Sequence, residues 1–224
     1  MQDQPNLDPW AYYTRKVPNE FLEFALNNGA PDPRASPRQP HNKTVNVEET
    51  DFVNYILANE TTCQKKWFHP RDILSAESNI EMALPLTVGM HQGNTFEYNW
   101  GLYENTNEEI KEIIGKNNLT AMGYDPATVL ARLIVYMPGH GIPLHRDTMD
   151  GWRGRFPQHH NKKVERQLLM VTGWHWGHML QVDNTITTHW GSGDVFVIPT
   201  NHWHLSSNQG VVPKITVSLT GVIE

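Results

Sequence analysis

The C-terminal half of this 224-residue chain predicts an all-β core, a sandwich or barrel, with α additions from the N-terminal half. Two observations carry this. From Ala127 onward, eight short β-prone runs follow one another: Val129–Met137, Ile142–His145, Gln167–Thr172, His178–Val182, Thr185–His189, Asp194–Ile198, Trp203–Ser206 and Pro213–Val222. Between them lie Gly, Pro, Asn and Asp turn signals, such as Pro138-Gly139-His140-Gly141, at the spacing of a sandwich or barrel. Chain length suits one domain spanning 1–224, with a core at 127–224 and an N-terminal region at 1–126 that wraps it.

The N-terminal region is mixed and punctuated. Helices are expected at Glu20–Asn27 (Phe21, Leu22, Phe24 and Ala25), at Glu49–Ala58 (Phe52, Val53, Ile56 and Leu57) and at Asn107–Lys116 (Ile110, Ile113 and Ile114). Leu84–Met90 and Thr95–Tyr98 are expected strands. Residues 31–40 hold four prolines among polar residues and suit only a loop. This region would pack on the core and supply lid or substrate contacts.

Composition is that of a globular chain, with 38% hydrophobic and 19% charged residues. The net charge of −6 argues against wholesale nucleic-acid wrapping, though it leaves room for a local basic site. Cys63 is the single cysteine, so no intramolecular disulfide forms, which fits a reducing compartment. There is no basic-then-apolar leader after Met1 and no run long enough to span a bilayer. The expectation is a soluble, cytoplasmic protein without a membrane partner. Eight Trp and twelve His are in excess, much of it within 173–204, so the excess is local.

The chemistry-bearing residues are split across that core. His145 and Asp147 are two apart in an expected strand, so both point to one side while Arg146 points to the other. Two histidines and a carboxylate can occupy one face of an octahedral metal and leave the opposite face open. The third ligand must come from another strand. His202 and His204 share a face, so alternation does not choose between them. His175 and His178, in Trp174-His175-Trp176-Gly177-His178, lack cysteines and a paired second cluster, and suit a turn packing its tryptophans.

Several separated elements carry a resemblance. They are Tyr136-Met137-Pro138-Gly139 leading to His145-x-Asp147, Gly193-Asp194-Val195-Phe196-Val197-Ile198-Pro199, Trp203-His204 with Asn208 and Gly210, and Lys214-Ile215-Thr216-Val217-Ser218-Leu219. Over 127–224 the chain resembles the Fe(II)/2-oxoglutarate-dependent dioxygenases, and the lysine at 214 is similar to the prolyl 4-hydroxylase branch. The resemblance implies a double-stranded β-helix, a jelly roll of the cupin type. It selects His204 over His202 as the distal ligand, since the carboxylate-binding basic residue follows about ten residues later. It implies Fe(II) held by His145, Asp147 and His204, with 2-oxoglutarate and O2 as co-substrates. Lys214 would take the distal carboxylate of 2-oxoglutarate, with Thr216 on the same face and Tyr136 from the first core strand. The implied reaction hydroxylates an amino acid or peptidyl substrate and releases succinate and CO2. Alternatives are nucleobase oxidation by the same machinery, or a cupin-like protein that binds metal without turnover. Asp194 is expected to be structural.

Residues 150–163 follow the His-x-Asp strand. Glycines at 151 and 154 suggest a segment that can move, and Arg153, Arg155, Lys162 and Lys163 make it basic. Trp152, Arg153 and Arg155, together with Arg166 at the start of the next strand, are candidate substrate residues.

Overall fold

A computed structural model describes residues 23–24, 26–28, 40–59, 64–68, 80–82, 98–103 and 107–224. Its helices are α1 (Glu49–Ala58), α2 (Asn107–Ile114), α3 (Lys116–Ala121) and α4 (Asp150–Arg155). The strands from the N-terminal region are β1 (Lys43–Thr44), β2 (Gln64–Phe68), β3 (Ile80–Met82) and β4 (Tyr98–Tyr103). The core strands are β5 (Leu130–Tyr136), β6 (Gly141–Asp147), β7 (Val164–Met170), β8 (His178–Val182), β9 (Thr185–Thr187), β10 (Asp194–Ile198), β11 (His204–Asn208) and β12 (Lys214–Val222). Short 3-10 turns lie at Pro126–Thr128 and Pro157–His159.

Each of the eight expected core strands is present. They divide between two antiparallel sheets, a larger one ordered β1-β10-β7-β12-β5-β4-β2 and a smaller one ordered β3-β6-β11-β8-β9. The chain crosses from sheet to sheet at β5–β6, β6–β7, β7–β8, β9–β10, β10–β11 and β11–β12. The first core strand pairs with the last, β5 with β12, and the second with the last but one, β6 with β11. This is the winding of a double-stranded β-helix, so the fold is a cupin-type jelly roll with helical additions.

Alternation assigns the two faces of the large sheet. Ala131, Leu133 and Val135 of β5 and Ile215, Val217 and Leu219 of β12 point outward into one core. That core is closed by Phe52 and Ile56 of α1, Ile110 and Ile114 of α2, and Leu119 of α3. The i, i+4 pairs put one apolar stripe of each helix on the sheet. Inward-facing Leu168, Met170, Phe196 and Ile198 form a second cluster with Leu180, Trp174 and Trp190 between the sheets. The buried tryptophans each donate their indole N–H to a carbonyl: Trp152 to Thr128 O, Trp174 to His178 O and Trp190 to Thr172 O, at 2.9, 3.0 and 3.1 Å.

Outside the core the outcome is mixed. α1 matches its expected span, and α2 ends two residues early because Gly115, at φ +82°, breaks it before α3. The described residues of 20–27 are helical. Of the strand expected at 95–98 only Tyr98 is described, and it opens β4; the rest of that strand, the one at 84–90 and most of the proline-rich loop lie outside the described residues. The segment after His-x-Asp, read as a mobile loop, is helix α4 followed by a 3-10 turn. Trp152 overrides the glycines by burying its ring beside Phe156, with centroids 5.0 Å apart.

Gly193 ties β1 to the jelly roll. Its φ is +84°, and a Cβ there would collide with the Val45 carbonyl oxygen, while the Val45 N–H donates to Gly193 O at 2.9 Å. Gly193→Ala is therefore expected to cost about 2 kcal/mol or more. The checks are the urea midpoint and faster amide exchange at Val45.

Candidate metal centre

β6 and β11 lie side by side in the small sheet, with His204 opposite His145. Beyond that pair the register shifts: Ser206 stands opposite Ile142, so β6 fits three steps where β11 fits two. Such a bulge re-aims the side chains next to it. It falls at Pro143–Leu144, where the missing N–H of proline costs the ladder least.

His145, Asp147 and His204 each place a ligand atom within 4.8 Å of the other two. His204 Nε2 is 3.4 Å and His145 Nε2 4.0 Å from Asp147 Oδ2. Donors about 2.1 Å from one ion in adjacent octahedral positions are about 3 Å apart, so a small inward shift suits the three to a divalent metal. The His204 tautomer follows from its second contact. Nδ1 lies 3.0 Å from the His202 carbonyl, which can only accept, so Nδ1 carries the proton and Nε2 keeps its lone pair for a metal. Burial, the main cause, holds the His204 pKa down at about 4, so the ring is neutral at pH 7.

His202, left open by alternation, is half exposed and pairs with Asp183 at 2.6 Å on the surface. His178 is buried but has both nitrogens engaged: Nε2 lies 2.8 Å from Val212 O, and Nδ1 accepts from the His175 N–H at 3.3 Å. The histidine-rich turn is thus a packing element. Asp194 is wholly buried, accepting from the Gly191 N–H at 2.7 Å and the Thr44 hydroxyl at 2.9 Å, so it is a turn residue.

Deeper between the sheets stands Lys214, opposite Tyr136 in register and 0% exposed. Its Nζ donates to Ser206 Oγ and Met179 O, both at 2.7 Å, and lies 5.1 Å from the ring centroids of Tyr136 and Trp190. An ammonium has three protons, and no described residue supplies an acceptor for the third. Burial lowers its pKa to about 7. Tyr136 is pushed up to about 12 by burial, partly offset by the Ser206 and Thr216 hydroxyls. Thr216 Oγ1 is buried without a hydrogen bond of full geometry. Ser206 and Trp190 were missed in the sequence. Ser206 was legible, because it follows His204 by two on the same face; Trp190 lies in a turn, where alternation says nothing.

The four candidate substrate residues fall differently. Arg166 sits against the Asp147 carboxylate and donates Nε to Thr220 Oγ1 at 3.1 Å. Burial first, then Arg132, lower its pKa to about 10, which leaves it charged at neutral pH. Trp152 is only 3% exposed and bonded to Thr128 O, so it anchors α4. Arg153 is exposed and donates to His160 O at 2.8 Å, and Arg155 is exposed on the same helix.

No family model matches the chain, and no curated protein matches it. Solved structures give a low-identity likeness. A cupin 2 conserved barrel domain protein from Salinispora arenicola is 15% identical, over 42% of this chain and 63% of that one, with a TM-score of 0.30. A protein with a double-stranded β-helix domain from Klebsiella pneumoniae is 19% identical, over 43% and 69%, with a TM-score of 0.30. A protein described as a predicted oxalate decarboxylase from Thermotoga maritima is 10% identical, over 56% and 82%, with a TM-score of 0.34. Among the described residues, no helix is long and apolar enough to cross a membrane.

The Lys214 pKa fixes the sign of a pH effect. Below about 7 the folded chain carries a buried ammonium, and its desolvation cost is present in full. Between about 7 and 10.5 the unfolded chain binds a proton that the folded chain has lost, so this group makes stability rise with pH. Lys214→Met removes the charge at similar volume. It is expected to be more stable than the parent at pH 6, with the gap in urea midpoints narrowing as pH is raised from 7 towards 10.

Proposed function

We propose that the chain is an Fe(II)- and 2-oxoglutarate-dependent oxygenase that hydroxylates an unactivated C–H bond of an amino acid or peptidyl, prolyl-type substrate. The observation that carries this reading is the position of Lys214 relative to the His-Asp-His triad. Ser206, which bonds the ammonium, lies two residues from His204 on the same face of β11. One strand repeat is about 6.7 Å, a separation that a five-carbon dicarboxylate can bridge. A protein that only bound metal would have no use for a buried cation at that depth. Replacing it with an apolar side chain would remove an ion whose burial is costly.

Each residue then has a task. His145, Asp147 and His204 would hold Fe(II) from one side and leave the other open. Bound iron with 2-oxoglutarate supplies the activation of O2, coupled to decarboxylation to succinate and CO2. Lys214 binds the distal carboxylate as a charged donor, with Thr216 and Tyr136 hydroxyls beside it. Arg166 orients Asp147. Trp190 and Tyr136 wall the lysine end with rings that exclude water.

The test is anaerobic titration of the apoprotein with Fe(II), with and without 2-oxoglutarate, followed in the visible spectrum. Chelation of both donors of 2-oxoglutarate gives a weak charge-transfer band near roughly 500 nm. The expected result is a band that needs both additions and is lost in His204→Ala and Asp147→Ala. In Lys214→Ala it should need about tenfold or more 2-oxoglutarate, the loss of one charge-assisted bond. Metal binding with no band would favour a cupin-like binding protein instead.

A further inference from the structure

Along the inward face of the large sheet, register places side chains in rows. Tyr136 and Lys214 form the deepest row. Two repeats nearer the other end, Arg132 stands opposite Ser218, which is beside Leu168 and then Phe196. The following row holds Leu130, Thr220, Arg166 and Ile198. Arg132 shares its face with Ile134 and Tyr136, while Ala131, Leu133 and Val135 are buried on the other side. It therefore belongs to the interior face of the jelly roll, yet it is exposed. Water reaches the Arg132 end of this row, while Leu168 and Phe196 at the other end are buried.

Among the described residues neither row contains a carboxylate, and Arg132 makes no ion pair with any of them. Its charge is felt by Arg166, whose own guanidinium is committed to Asp147 and Thr220. Asp147 is the anion that offsets Arg166, and it makes no ion pair with Arg132. Lys214 lies two rows away and is already fitted to the co-substrate, so Arg132 is left for a second anion.

Resting on the oxygenase reading, we infer that the primary substrate carries a free carboxylate bound by Arg132, so that it is a free amino acid and not a residue within a peptide. An arginine fork matches a carboxylate with two parallel hydrogen bonds, and Ser218 opposite it offers a hydroxyl to the same group.

The experiment uses the full chain loaded with Fe(II) and 2-oxoglutarate under anaerobic conditions. Calorimetry measures the binding of each common free L-amino acid and of its primary carboxamide. The charge-transfer band in the same samples reports on the oxygenase reading separately. At least one amino acid is expected to bind, with its carboxamide about tenfold weaker or more, as loss of a charged partner implies. Arg132→Gln should bind that acid about tenfold more weakly and lose the preference for acid over amide, and Arg132→Lys should fall between. Circular dichroism establishes that both variants are folded. The inference is overturned if no free amino acid binds, if acid and amide bind alike, or if Arg132→Gln binds as the parent does.

Discussion

The alternation of β12 is the constraint on which the rest of this molecule depends. Ile215, Val217 and Leu219 must face the helices, so Lys214, Thr216, Ser218 and Thr220 must face the interior. The strand is bonded on both sides, to β5 and to β7. A slip of one residue would put the apolar set into the wet interior and the polar set against Phe52 and Leu119. Packing of the outer core and the placement of the lysine are thus one decision. The apolar side supplies the free energy that holds an ammonium where solvation would not have left it.

The small sheet solves the complementary problem. Beside the inward apolar residues Leu180 and Val182 it presents polar groups at His145, Asp147, His204 and Ser206. These would be unfavourable singly, but neighbours organise them. The His202 carbonyl fixes one imidazole, Arg166 sits on the carboxylate, and Ser206 accepts from Lys214. The sheets therefore meet through a polar seam in addition to the apolar cluster around Trp190 and Phe196. Among the described residues, charge within the seam is unbalanced towards the positive, with Arg132, Arg166 and Lys214 set against Asp147.

Much of this was legible in the sequence because period-two patterning is a local signal. The eight core strands follow from it, and so do the shared side of His145 and Asp147 and the inward direction of Lys214 and Thr216. What was not legible depended on distant partners. Choosing His204 over His202 required the resemblance in the sequence, and its physical basis is Asp183, nineteen residues from His202, which holds that ring at the surface. Helix α4 was hidden by its two glycines, because the stabilising contact, Trp152 with Thr128, spans 24 residues. Arg166 read as a substrate contact because nothing local showed that Asp147 would take it. Arg132 sits in an apolar run where an arginine looks like an ordinary outward position.

The bulge in β6 has an implication for how this chain can vary. The bulge takes three steps of β6 against two of β11, yet His145 stands opposite His204 and Asp147 follows it on the same side. Losing a single residue there would remove the bulge and leave a regular ladder, two steps against two, with the histidine still opposite His204. Losing two would leave one step against two and turn both side chains to the outer surface while leaving strand propensity almost unchanged. The segment thus acts as a counter, in which spacing carries the information that residue identity carries elsewhere in the chain.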